Sequence, residues 1–338
     1  MILNSERRPE GDRRGSRAGG PRSGGRDGGP TVPPAVPRSY YGQPILNRPV
    51  WTWEIPAYFF VGGIAGASAP LALVASLQGN RPLARAASAA AVGGAAISPV
   101  LLISDLGRPE RFLNMLRVFK PTSPMSVGSW ILASFGPAVG LGAARELLGV
   151  LPRLGRAGQL AGAALGPGLS TYTAALLANT AVPAWHEARD ELPFVFAGSS
   201  LASSSAAALL LTKPASAAIP RRMAVLGAIL SLGATATMER RLGELGAPYR
   251  DAGAAGTVAR AAKTLTATGG LVVAVRARKG RRRPVVGALA LLAGSALERW
   301  AIFRAGVASA EDPAATVGPQ RARRDARERA AATERNGA

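Results

Sequence analysis

The side chains able to do acid–base chemistry in this 338-residue chain fall in a few short clusters. Its single histidine, His186, stands beside Trp185 in the run Trp185-His186-Glu187-Ala188-Arg189-Asp190. Histidine is the side chain whose ordinary pKa lies nearest neutrality, so His186 is a candidate proton acceptor as well as a candidate interfacial loop residue. The run reads His-Glu-x-x-Asp, which gives no support to the His-Glu-x-x-His site of a zinc protease. Glu54 opens an apolar segment, where a carboxylate is expensive unless it is paired or functional. One helical turn on, Tyr58 offers a hydroxyl, or belongs with Trp51 and Trp53 to an aromatic belt. The stretch Asp105–Gly128, DLGRPERFLNMLRVFKPTSPMSVG, carries Arg108, Arg111, Arg117 and Lys120 between two long apolar segments. Four cations at such a junction belong at a membrane surface, where they meet headgroups, a partner protein or the polar end of a lipid-soluble ligand. Asp105 and Arg108 are expected to form a local salt bridge and to cap helix ends.

Two absences narrow the chemistry further. The chain has no cysteine, which removes disulfides, thiolate metal sites and any iron–sulfur cluster held by this chain. With one histidine it cannot ligate a bis-histidine haem. No catalytic centre and no metal site of its own are expected. The formal net charge is +21, much of it in the two ends. The N-terminal arginines are spaced by Gly, Pro and Ser without interleaved aromatics, and the rest of the chain is greasy, so nucleic-acid binding is not the reading.

The elements that must position these residues follow from hydropathy. Charges are clustered, and runs of roughly 20 residues between them carry almost none, the length needed to cross about 30 Å of hydrocarbon as a helix. Residues 1–50 are Arg/Gly/Pro-rich and are expected to be disordered, without the apolar core and cleavage site of a signal peptide. A membrane domain over 51–304 is expected to be all-α, with eight transmembrane helices near 53–77, 84–104, 126–148, 155–180, 191–212, 218–239, 257–275 and 284–303. Basic, turn-forming connectors such as QGNRP, GVLPRLGR, TKPASAAIPRR and RARKGRRRP separate the spans. A polar tail is expected over 305–338, with RARRDARERAAATER as a candidate surface helix.

The chain also repeats itself. Asp105-Leu-Gly-Arg-Pro-Glu-Arg111 and Glu244-Leu-Gly-Ala-Pro-Tyr-Arg250 share the pattern [D/E]-L-G-x-P-x-R, and Ile55-Pro-Ala-Tyr-Phe-Phe60 pairs loosely with Leu192-Pro-Phe-Val-Phe196. The nearly equal offsets suggest a duplicated four-helix unit, and because four is even both copies run in parallel orientation. Both termini and the connectors after even-numbered spans then share one side, here called the motif side. The opposite connectors hold fourteen Lys and Arg against one acid, Glu146. The positive-inside rule would put that opposite side in the cytoplasm, whereas nine arginines in the N-terminal tail argue the other way, leaving the orientation open. The middles of the first six spans lack ionisable groups and Lys263 lies near an end of the seventh, so no proton pumping is expected.

Five motifs then carry a resemblance: W-x-W-E-I-P-A-Y-F-F-x-G-G-x-A-G (51–66), D-L-G-R-P-x-R-F (105–112), S-P-M-S-x-G-S-W (123–130), P-A-W-H-E-A-R-x-E-L-P-F-V-F (183–196) and A-G-x-x-S-A-E-D-P (305–313). In this order they resemble the NrfD/PsrC family, the eight-helix membrane subunit of complex iron–sulfur molybdoenzymes such as polysulfide reductase. The resemblance implies a multi-pass subunit of the prokaryotic cytoplasmic membrane, without haem, that binds a quinone (menaquinone or ubiquinone). It implies electron exchange with a ferredoxin-like iron–sulfur subunit that relays to a molybdopterin catalytic subunit. On that reading Glu54, Tyr58, Asp105, Arg108, Trp185, His186 and Glu187 are candidates for the quinone pocket, and Arg111, Arg117, Lys120, Arg189 and Arg250 for partner docking. A secondary transporter and a purely structural anchor are the alternatives.

Overall fold

The computed structural model describes residues 45–250, 253–275 and 282–318, together with 321, 324, 325 and 327–329. The Arg-rich tail up to residue 44, the connector residues 276–281 and residues 330–338 lie outside the described residues. All regular structure among the described residues is helical. The helices are α1 (Glu54–Leu77), α2 (Arg81–Asp105), α3 (Pro124–Ala143), α4 (Pro152–Ala178), α5 (Pro183–Glu187), α6 (Leu192–Leu211), α7 (Ala218–Arg241), α8 (Ala247–Arg250), α9 (Ala254–Ala274) and α10 (Arg282–Glu311). Eight of these run 20 residues or more. Six are long and apolar enough to cross a bilayer, namely α1, α2, α3 with its continuation to Leu148, α4, α6, and α10 from Pro284. The chain is a multi-pass membrane protein.

Local sequence explains where the helices begin and end. Proline occupies the first turn of α2, α3, α4 and α6, where its missing N–H is not needed. The Asn80 side chain accepts from Leu83 N at 3.3 Å and so caps α2. At the other end of α3 the chain closes in a π turn, Ala144–Leu148, followed by Gly149 with φ 73°, a left-handed conformation that glycine adopts without penalty. The final helix runs on to Glu311, past the 303 expected from hydropathy. Its added turns are held by protein: Ala305 and Ala310 are buried, and Ser309 Oγ accepts from Ala184 N at 3.2 Å. The described residues of the expected surface helix are helical, and Arg324 pairs with Glu328 at 3.3 Å.

The long helices pack as neighbours in two sets. In the first set α1 lies between α2 and α4, and α3 packs on α4; in the second α6 lies between α7 and α10, and α9 packs on α10. Helix α1 also touches α6 and α10, joining the sets. Contact in lipid depends on close backbone approach, since burial of apolar side chains gains little there. Between α1 and α4, a Cβ placed on Gly66 would run into the Gly166 carbonyl, and one on Gly166 into the Gly66 carbonyl. Large apolar side chains such as Ile97, Val100, Leu160, Ile229, Leu271 and Val286 point outward, as helices facing hydrocarbon require.

Candidate functional site

The two ends of the bundle differ in their polar contacts. Opposite the motif side, Arg145 Nη1 binds Glu146 Oε1 and Gln159 Oε1, each at 2.7 Å, and Ser76 Oγ donates to Glu146 at 2.9 Å. This network is closed on itself. On the motif side the start of α1, the α4–α6 connector and the α7–α9 connector come together around the end of α10, and the end of α2 lies against the start of α1.

Asp105 illustrates how the sequence expectation changes. It does not pair with Arg108; its Oδ1 accepts from Thr52 N at 3.3 Å and Thr52 Oγ1 at 2.8 Å. The physical reason is topology, because the end of α2 lies against the start of α1, while the connector carries Arg108 away as an exposed N-terminal flank of a 3-10 helix, Pro109–Leu116. Thr52 Oγ1 also contacts Glu54 Oε2. Thr52 therefore sits between the two carboxylates, and its one hydroxyl hydrogen can serve one of them at a time.

Tyr58 is not a belt residue. It is 1% exposed, and its hydroxyl meets that of Tyr172 on α4. Burial follows from its neighbours: Phe59 and Tyr172 rings lie beside it, and Gly62 on the next turn leaves room for the ring. Trp185 is fully buried, donates its indole N–H to the Ile302 carbonyl at 2.7 Å and stacks on Trp51 at 5.8 Å between ring centroids. Its seat exists because Gly306 has no side chain; a Cβ there would enter the indole ring. The indole N–H is thus already engaged within the protein. His186, next to it, is exposed, and its Nδ1 donates to the Ala178 carbonyl at 3.0 Å. The Glu187 carboxylate lies 3.8 Å from Arg189, and its carbonyl accepts from Arg241.

Thr52 and Trp51 form one wall of a cleft of about 1150 Å³. The other walls are Trp53, Leu245, Trp300, Phe303 and Arg304, with Arg48 and Glu311 pairing at the rim at 3.5 Å. The structure thus brings Glu54, Asp105 and Trp185 behind the cleft wall through Thr52 and Trp51. It does not bring Arg108 or His186 into the lining, and Tyr58 faces α4. Nearby Tyr249 is buried with no partner for its hydroxyl; burial first, then the Glu239 charge, push its phenol above the ordinary value. Sequence reading missed the roles of Thr52, Trp300 and Phe303. A hydroxyl two residues before Glu54 is a faint signal, and the α10 aromatics come from the far end of the chain.

The docking candidates are exposed. Arg111, Arg117 and Lys120 are exposed, and neither they nor Arg108 form an ion pair among the described residues. Leu113, Val118 and Phe119 stand exposed among them. Arg250 differs, because its guanidinium donates to the carbonyls of Glu239 and Gly243 and holds the α7–α9 connector together. Arg189 lies between Glu187 and Asp190.

The expectation of a membrane interior without ionisable groups covers spans one to seven; the eighth, α10, carries Glu298 and Arg299, 8% and 1% exposed. The signal was present in the sequence as two adjacent charges in LLAGSALERWAIF.

The chain is a multi-pass, all-helical membrane protein over its described residues, with an aromatic-lined cleft at its motif side. The chain belongs to the NrfD family: the model described as "Polysulphide reductase, NrfD" matches residues 44–233. Membership implies a membrane subunit of polysulfide or molybdoenzyme reductase complexes. No curated protein matches the chain.

Proposed function

We propose that this chain binds a quinone or quinol in the motif-side cleft and exchanges electrons with an iron–sulfur protein docked on the same face. The carrying observation is the cleft itself: an aromatic-lined space of about 1150 Å³ whose Thr52 wall is backed by two carboxylates. A flat apolar ring needs such walls, and its oxygens need a few convergent polar groups. The bound group supplies two-electron, two-proton redox chemistry. The chain's part is to hold the ring against Trp51, Trp53 and Trp300, to receive protons at Glu54 or Asp105 through the Thr52 hydroxyl, and to pass them outward, with exposed His186 as a further acceptor at that surface.

The connector cations Arg108, Arg111, Arg117 and Lys120, lacking acidic partners among the described residues, suit an acidic face of a ferredoxin-like subunit that relays to a molybdopterin enzyme. In the same reading all eight long helices span the membrane as two four-helix repeats in parallel orientation. Support comes from matched neighbours (α1 with α2 and α4, α6 with α7 and α10) and from the [D/E]-L-G-x-P-x-R motif after the second helix of each set.

The test is quinone titration of the purified chain by tryptophan fluorescence, repeated with Trp300→Leu. Saturable quenching that weakens in the variant is expected. Quenching that never saturates would leave the chain an anchor without a quinone site.

A further inference from the structure

Glu298 and Arg299 lie near the middle of α10, about 20 Å by helical rise from its motif-side end. They point to different neighbours. Arg299 Nη2 donates to the Phe196 carbonyl at 2.8 Å and to Ser200 Oγ at 3.0 Å, and its guanidinium carbon sits 3.6 Å from the Phe196 ring centroid. Gly63 on α1 makes room for the Ser200 hydroxyl that receives it. Glu298 turns toward α7, where Ser231 Oγ donates to its Oε2; the Ser199 hydroxyl of α6 also lies beside the carboxyl, and Oε1 makes no hydrogen bond of ordinary geometry. A carboxylate so placed in hydrocarbon is expensive unless it serves a function.

The face of α7 above Ser231 continues in kind. Ser231, Thr235 and Glu239 recur at every fourth residue, so they stack along one side of the helix at about 6 Å intervals. Thr235 Oγ1 is buried without a partner, as is Thr266 Oγ1 on the adjoining α9. Glu239 ends the row at the motif side, where Lys263 Nζ donates to both its oxygens at 2.8 and 3.0 Å. Intervals of this size are bridged by single waters, and unpartnered hydroxyls are what such waters bind. Along α7 and α9 toward the motif side the first charges met are Glu239 and Lys263, with Arg260 beyond; α6 carries none. In the other direction Ala202, Ala206, Leu209, Ala224, Val273 and Leu291 pack together, Thr212 Oγ1 bonds back to the Ala208 carbonyl, and Ser205 of α6 is the hydroxyl on that stretch left buried without a partner.

We propose that Glu298 is a proton-binding carboxyl at membrane depth, reached from the motif side alone along the Ser231–Thr235–Glu239 face of α7. A proton leaves water at the motif side, successive hydroxyls and bridging waters exchange one hydrogen bond each, and an O–H bond forms on Oε1. The intermediates regain their protons, and the net change is Glu298 from carboxylate to carboxylic acid. The apolar plug ends the path there, so the site stores a proton without passing it across. This inference needs the membrane-spanning architecture and makes no use of the quinone cleft.

The full chain in nanodiscs, without quinone, supplies the test. A hydrophobic carbodiimide should modify Glu298, located by peptide mass; an unmodified Glu298 overturns the proposal without any variant. Infrared spectra should show a buried carboxylic acid band, absent in Glu298→Gln. Its hydrogen–deuterium exchange should slow roughly tenfold in Thr235→Val, the rate equivalent of one lost hydrogen bond, and stay unchanged in lipid-facing Ile229→Val. Exchange as fast in Thr235→Val as in the parent chain refutes the path. In liposomes, passive proton flux should be equal for the parent chain and Glu298→Gln; a flux that vanishes with Glu298 refutes the one-sided ending.

Discussion

Where α1 meets α4, two glycines let backbone touch backbone, and the remaining polar side chains nearby are hydroxyls: Tyr58 with Tyr172, and Ser170 donating to the Gly166 carbonyl at 3.1 Å. Where α6 meets α7 and α10, the interior instead holds a carboxyl and a guanidinium, with Ser199, Ser200, Ser203, Ser231 and Ser295 around them. The first set also carries a proline inside every helix, Pro70, Pro99, Pro137 and Pro167, while α6, α7 and α9 have no such interruption. One set has sacrificed backbone hydrogen bonds and kept its middle neutral. The other has kept its backbone regular and accepted charge. A shared helix arrangement thus leaves the chemistry of its middle free to differ.

The contrast predicts a hierarchy of damage. Gly66→Val should be the most severe change, because the α1–α4 contact has no space for a side chain; a loss of about 3 kcal/mol is expected, seen as little folded protein by size exclusion in detergent. A milder effect would place the stability of the bundle in the other set. Next comes Arg299→Leu, expected to destabilise by roughly 3 kcal/mol because it strips the polar neighbours of their donor; adding Glu298→Leu should recover part of that in the double variant. Strictly additive losses in thermal unfolding would mean that the two side chains act independently.

On the functional side, Thr52→Val removes the hydroxyl between Glu54 and Asp105 and should lower quinol oxidation by the assembled complex about tenfold with thermal stability retained. The smallest effect belongs to the exposed connector. Neutralising Arg117 and Lys120 together should weaken partner association by about 1 kcal/mol at low salt and by less at high salt, measured by co-purification or surface binding.

Much of this architecture is legible in the sequence, for reasons the structure makes plain. Span positions follow from hydropathy because hydrocarbon imposes a length on every crossing helix. The gathering of the motif segments on one side follows from counting crossings. What could not be read are partnerships across the chain. Tyr172 lies 114 residues from Tyr58, so a tyrosine that looked like an interfacial aromatic is a buried one. Asp105 finds Thr52 at a separation of 53 and ignores the arginine three residues away. Glu298 and Arg299 were visible as letters, yet their setting depends on Ser231 and Ser200, 67 and 99 residues distant.

The prolines have a mechanical consequence. Pro70 cannot donate back along its helix, and the carbonyl it releases, that of Gly66, lies instead against Gly166 of α4. A bond between successive turns has been traded for a contact between neighbours, so α1 can bend there only if α4 yields with it.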